Sequence, residues 1–325
     1  MNVFVTGASG FIGSALVTEL AARPKVSVIA ASRKQLRVDA EVVRTVTAPE
    51  LGPDADWRIA LRGADTVVHA AARVHVLDDK TADPLAAYRY ANVGGTLALA
   101  KQAATMGVQR FVFLSSIKVN GEATTAEPFR ASDTPAPEDD YGVSKWEAEQ
   151  ALHELAESTG MEVVIVRPPL VYGPGVKANY KSLMNALWRR WPLPLAAANS
   201  NRRSLVYLGN LVDLLAVCLE HPAAVGRTFL VSDGEDLSTE ELLQRQGQAL
   251  RRPPKLWNWS KNFIQSGLRL LGREAVYDRL FGSLQVDIDE TRKALDWKPP
   301  FSVEEGLAKT ANSYRTQVEL NAKNG

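Results

Sequence analysis

The sequence predicts an α/β protein: a doubly wound parallel sheet with a smaller C-terminal lobe. Three observations predict it. Short β-branched runs alternate with alanine-rich helical stretches through the first half. Those runs are almost continuously apolar, as strands buried on both faces must be. A glycine-rich turn joins the first such run to the first helix. At about 150 residues per domain, 325 residues fit two lobes. The expected division assigns residues 1–170, with 205–232 returning to them, to the sheet lobe, and 171–204 with 233–325 to the second lobe.

Taken in order, Asn2-Val-Phe-Val-Thr6 reads as a strand and Ile12 to Ala22 as a helix. Val26 to Ala30, Thr66 to Ala70 and Phe111 to Ser115 read as further strands, and Glu162 to Arg167 as another, ended by Pro168-Pro169. Pro84 to Met106 carries apolar residues at helical spacing, with Gly107 where a helix C-terminus belongs. The Pro-rich and acidic stretch Thr125 to Asp140 reads as a surface loop within the first lobe, because sheet-like sequence follows it.

Composition excludes several classes of function. Lys+Arg 38 against Asp+Glu 37 gives a net charge of +1, so a general affinity for nucleic acid or anionic membrane is not expected. Cys218 is the only cysteine and lies on an apolar helical face, so neither an internal disulfide nor a cysteine zinc site can form. No metal site is expected. No run reaches the roughly 18 apolar residues of a membrane span. No leader-like segment is present either, so a cytoplasmic location is expected.

The turn Thr6-Gly7-Ala8-Ser9-Gly10-Phe11-Ile12-Gly13 opens the first helix. A helix N-terminus offers free N–H groups and partial positive charge, which suit a pyrophosphate. Gly7 permits the tight turn, Gly10 lets phosphate approach, and Gly13 lets the helix pack closely. The second strand ends in Ser32-Arg33-Lys34, without the carboxylate that accepts from a ribose 2′-OH. A hydroxyl and two cations fit a 2′-phosphate instead, so NADP is expected, with NAD as the alternative.

Tyr141 and Lys145 stand four apart in a helical stretch, hence on one face. A nearby ammonium stabilises a phenolate and draws the phenol toward neutral pH, where it serves as general acid or base. Ser115-Ser116 end a strand at the sheet edge where such folds bind ligands, and a serine hydroxyl there can meet a carbonyl or alcohol oxygen.

With these residues the chain resembles the extended short-chain dehydrogenase/reductases, in the NAD-dependent epimerase/dehydratase family that acts on nucleotide sugars. The resemblance rests on Thr6-Gly-x-x-Gly-Phe-Ile-Gly13, His69-Ala-Ala-Ala72, Asn92-Val-x-Gly-Thr96 and Phe113-Leu-Ser-Ser116. It continues through Tyr141-x-x-x-Lys145, Arg167-Pro168, Val171-Tyr-Gly-Pro174 and Leu295-Asp-Trp297. It implies a Rossmann-type sheet with Tyr141 as acid/base, Lys145 on the nicotinamide ribose and Ser116 orienting the reacting oxygen. Ser9, Phe11, Ile12, Ala70, Ala71, Ala72, Asn92, Ser115 and Pro168 are implied along the cofactor. His69 is implied to support its loop.

The same resemblance implies Asn179 and Arg203 as diphosphate contacts, with Arg279 a weaker candidate and Lys118 beside the substrate. A helix-paired homodimer is also implied. Ile117 and Lys118 stand where dehydratases of the family carry an Asp-Glu pair, so dehydration is not expected. The adenine contact stays open among Glu50, Asp54 and Asp56. Asp213 is expected to position the preceding loop. The pairs Trp188/Trp191 and Trp257/Trp259 are expected to pack in the core rather than frame a sugar, and the amphipathic stretch Asn262 to Phe281 to cap the substrate rather than form a surface that meets a membrane enzyme. The leading expectation for function is NADP-dependent reduction of a UDP-4-keto-6-deoxy-HexNAc for surface polysaccharide synthesis. The first alternative is a UDP-hexose 4-epimerase with retained NAD, and the second a non-catalytic NADP-sensing regulator.

Overall fold

A computed structural model describes residues 1–36, 41–74, 81 and 83–323. Its elements run β1 (Asn2–Thr6), α1 (Phe11–Ala21), β2 (Ser27–Ser32), β3 (Val43–Thr47), β4 (Thr66–His69), α2 (Pro84–Tyr88), α3 (Gly95–Thr105), β5 (Arg110–Leu114), α4 (Asp140–Thr159) and β6 (Glu162–Arg167). There follow β7 (Leu170–Tyr172), α5 (Ala178–Trp188), β8 (Pro192–Leu193), β9 (Arg203–Tyr207), α6 (Leu208–Glu220), β10 (Thr228–Leu230), β11 (Asp236–Leu237) and α7 (Thr239–Ala249). The chain closes with β12 (Lys255–Leu256), α8 (Lys261–Leu270), α9 (Glu274–Phe281), α10 (Asp289–Leu295) and α11 (Val303–Lys323).

Seven strands form the main sheet in the order β10-β6-β5-β4-β1-β2-β3, with every pairing parallel. The order reverses between β1 and β4, and that crevice is where doubly wound sheets take ligands. Period-two alternation builds two core layers from the same strands. Val3, Val5, Val112 and Val166 pack with α1 and α6 on one face. Phe4, Phe111, Phe113 and Ile165 pack with α3 and α4 on the other. Each such side chain, fully buried, contributes roughly 1.5–3 kcal/mol. A second core under the small sheet β11-β9-β7 gathers Tyr172, Met184, Leu205, Leu243 and Leu307.

The strand expectations hold to within two residues. The predicted helix from Pro84 to Met106 is instead α2, a π-helical turn over Arg89–Gly94, and α3. Asp83 caps its start by accepting from the Ala86 N–H, with Pro84 in the first turn. The 125–140 stretch is more than a loop of one lobe: Phe129 donates its N–H to the Gln285 carbonyl and accepts from the Asp287 N–H, joining residues on both sides of the expected division. Asp213 accepts from Arg23 and from the Trp297 indole, so it pins α1 and the closing Leu295-Asp-Trp297 motif to α6. Cys218 is buried, and burial pushes its thiol up to about 12, as a packing residue requires. Among the described residues no helix is long and apolar enough to cross a membrane, and no cluster of metal-binding side chains occurs.

Candidate active site

The glycine turn leaves β1 at Thr6 and enters α1 at Gly10. Gly7 has φ +66°, and a Cβ there would lie 2.9 Å from the Ala71 nitrogen, so glycine alone lets the two loops touch. A Cβ on Gly13 would fall 2.2 Å from the Gly7 carbonyl oxygen. Gly13 therefore serves contact between helix and turn rather than between helix and strand. Ser9 is exposed, Phe11 and Ile12 are half-buried, and the first turn of α1 holds no acidic residue. These features fit the phosphates of a dinucleotide.

Beside the turn, the loop after β4 is held by a chain of hydroxyls. Thr6 Oγ1 accepts the N–H groups of Ala70 and Ala71 at 3.1 Å, so its one proton goes to His69 Nδ1 at 2.7 Å. His69 Nε2 then carries the ring proton and donates to Thr96 Oγ1 at 3.0 Å. Burial, then the Lys145 charge, pushes His69 down to about 3, so the ring is a neutral support. Ala72 follows half-buried on the same loop.

At the end of β2, Ser32 Oγ accepts from the Lys34 N–H and Arg33 is exposed. No carboxylate stands there among the described residues. Asp56 is tied to Arg58, whose side chain is the first cause of its low pKa of about 2, and the adenine contact stays unassigned.

The catalytic candidates come from the ends of β5 and α4. Ser116 follows β5 and opens a short turn over Ile117–Val119, accepting from the Lys118 N–H. Asp139 caps α4 by accepting from the Gly142 N–H at 2.7 Å, and its second oxygen holds Lys118 Nζ at 2.6 Å. A Cβ on Gly142 would lie 2.8 Å from the Lys118 carbonyl oxygen. The first turn of α4, with Tyr141, is thus pressed against the turn that carries Ser116. Asn92 fixes the same turn from the far side: it donates to Ser144 Oγ, which donates to the Tyr141 carbonyl. Asn92 also bonds Arg73 in both directions, so it positions two loops.

Lys145 is buried one turn further, its ammonium 3.9 Å from the centre of the Phe113 ring. Burial pushes its pKa down to about 7, opposed by the Glu149 carboxylate. Tyr141 departs from expectation. Burial, with the Asp139 carboxylate and Tyr88, pushes its phenol up, not toward neutral. It rests as a proton-holding phenol, edge-on to Tyr88 at 6.0 Å.

Ser115 lies beneath this surface. Its hydroxyl donates to Glu149, which pairs with Arg167 Nε at 3.0 Å, and Arg167 Nη1 donates to Asn120 Oδ1. The Ser115 side chain is therefore committed inside the fold. Glu149, Asn120 and Asp139 escape the sequence reading, although Tyr141, Lys145 and Glu149 share one four-residue period. Pro168 is buried, and its carbonyl accepts from the Ile117 N–H.

The substrate candidates are more scattered. Lys118 is spent on Asp139 and Glu122. Asn179 is exposed at the start of α5. Arg203 begins β9 and donates to the Gly282 carbonyl at 3.0 Å; burial first, then repulsion from Arg279, lowers its pKa. Arg279 is exposed on α9 and bonds the Ala275 carbonyl.

The model of the NAD dependent epimerase/dehydratase family matches residues 3–232. A Vibrio cholerae protein described as UDP-glucose 4-epimerase is 45% identical over 319 residues, 96% of this chain and 95% of its own. The UDP-glucose 4-epimerase of Thermotoga maritima superposes with a TM-score of 0.77 at 22% identity, covering 98% of this chain and 100% of that one. UDP-N-acetylglucosamine 4-epimerase from Bacillus cereus gives 0.79 at 18% identity, over 97% and 99%. The two structures attest the Rossmann-type fold, and the family match covers the glycine turn, the strand-end serines and the Tyr141–Lys145 helix. The chain is an enzyme of the NAD-dependent epimerase/dehydratase family.

Proposed function

We propose that the chain interconverts the C4 epimers of a UDP-hexose or UDP-N-acetylhexosamine. The observation that carries this reading is the 45% identity, along nearly the whole chain, to a relative described as a UDP-glucose 4-epimerase. That likeness favours the epimerase over the ketone reductase that the sequence put first. The site supports it: Ser116, Tyr141 and Lys145 stand on two elements locked together by Asp139 and Gly142. Tyr141 Oη holds and moves the proton of the sugar O4, and Ser116 Oγ orients that oxygen. Arg203, half-buried at the start of β9, offers a guanidinium fork to a diphosphate.

The dinucleotide fits the cradle of Gly7, Gly10 and Gly13 with the α1 N-terminus. When bound, it would supply a reversible hydride acceptor there, and the positive charge of its oxidised ring would favour the Tyr141 phenolate. A homodimer in the cytoplasm belongs to the same proposal.

The reductase remains the second reading on two observations. The phenol of Tyr141 is set to hold its proton, which suits a donor, and the end of β2 offers Ser32 and Arg33 to a 2′-phosphate. The test is to incubate the purified protein with UDP-glucose or UDP-N-acetylglucosamine and no added cofactor. Appearance of the C4 epimer with no net change in nicotinamide absorbance is expected. Stoichiometric NADPH consumption with a UDP-4-keto-6-deoxy-HexNAc, and no epimer from either UDP-sugar, establishes the reductase instead.

A further inference from the structure

We propose that residues 251–281 form a docking surface for an anionic phospholipid bilayer. The sequence suggests that this stretch caps the substrate and that its tryptophans pack in the core. The structure gives most of them to solvent. Leu270 is 88% exposed, Leu271 71%, Phe263 66%, Trp257 53% and Trp259 43%.

The geometry of α8 explains why they stand out together. At about 100° per residue, its apolar side chains sweep an arc of roughly 160°. Ile264 and Leu268 occupy one edge of that arc and face the protein, Ile264 being buried. Phe263 and Leu270 occupy the other edge and face out, and Leu271, just past the end of the helix, is exposed as well. Gly272, at φ +63°, breaks the helix before α9, and Trp259 meets Phe263 edge-on at 5.5 Å. The apolar stripe thus extends beyond the edge that the protein covers. Exposed apolar surface of this kind marks a partner.

Charge identifies the partner. The whole chain has a net charge of +1, yet residues 251–281 carry seven Lys and Arg against Glu274 and Asp278, an excess of five cations. The whole-chain balance hides this local excess, which is why the sequence argues against a membrane. An apolar stripe flanked by cations, with indoles at its edge, is how an interfacial helix meets acidic headgroups. The segment is anchored to the second lobe, where Trp257 donates its N–H to the Leu193 carbonyl and Lys261 Nζ meets Ser200 Oγ at 2.8 Å. Docking would hold Arg203, bonded to Gly282 just past α9, close to the bilayer. This inference does not depend on the sugar chemistry.

The test is vesicle flotation of the full chain. Vesicles of phosphatidylglycerol and phosphatidylcholine in equal parts should carry the protein up, and pure phosphatidylcholine vesicles should leave it behind. Leu270→Glu with Leu271→Glu should lower partitioning at least tenfold while melting temperature and turnover of a soluble sugar nucleotide stay unchanged. Arg273→Glu with Arg251→Glu should weaken flotation and its salt sensitivity together. The proposal falls if neither vesicle binds, if both bind equally, or if the leucine variant floats like wild type. It also falls if that variant instead raises KM, which makes the segment a substrate cap. Loss of a self-associated species in sedimentation, without vesicle binding, assigns the face to a second copy of the chain.

Discussion

The sheet edge around Ser116, Tyr141 and Lys145 and the segment 251–281 are built on opposite terms. At the sheet edge the groups that support the site have fixed partners: Asp139 holds Lys118, Asn92 holds Ser144, and Glu149 holds Arg167 and Ser115. In the segment, apolar side chains stand in solvent beside cations, and Ile264 is its one buried side chain on α8 and α9. The first region is finished by the chain itself. The second is complementary to something outside it.

The largest effect should come from removing the phenol. Tyr141→Phe keeps the ring against Tyr88 and should cut turnover by about 10²–10⁴ while dinucleotide titrations stay unchanged. A wild-type rate would remove Tyr141 from the chemistry. Next, Arg167→Met strands the Glu149 carboxylate, which is fully buried beside an Arg167 only 3% exposed. Denaturant unfolding should show a loss of about 3–5 kcal/mol. Leu271→Ala, in the exposed segment, should change stability by less than about 0.5 kcal/mol. Equal losses would erase the contrast between the two regions.

A smaller effect is expected from His69. Its folded pKa of about 3 lies below the ordinary 6.5, so the unfolded chain takes up the proton first as pH falls. The stability from keeping the ring neutral is fully present above pH 6.5 and is lost as pH falls toward 3. Between pH 7 and 5 wild type should lose roughly 2 kcal/mol more than His69→Asn. Identical pH slopes would mean that His69 titrates normally. A smaller effect again is expected from Arg33→Asp, which should move cofactor preference toward NADH by about tenfold, or ~1.4 kcal/mol. An unchanged ratio in paired titrations would make Arg33 a solvated loop charge.

Legibility followed the same divide. Strands buried on both faces announce themselves as apolar runs, so β1, β2, β4, β5 and β6 were readable. The edge strand β3 alternates with exposed Arg44, Thr45 and Thr47 and gave no such run. The glycine turn was readable because φ +66° at Gly7 and the contact at Gly13 leave no other residue type. Glu149 and Asp139 were hidden because their partners, Arg167 and Lys118, lie 18 and 21 residues away. The sequence places Trp257 and Trp259 in the core, whereas they are 53% and 43% exposed, because residue type alone cannot tell a core indole from an exposed one.

The central claim is that Ser116, Tyr141 and Lys145 serve a redox-neutral change at C4, and isotope retention tests it most directly. UDP-glucose deuterated at C4 should yield its epimer with the deuterium still at C4, even with excess unlabelled NAD(H) in solution. Loss of deuterium from the product to the free dinucleotide pool would show an exchangeable cofactor and contradict the account.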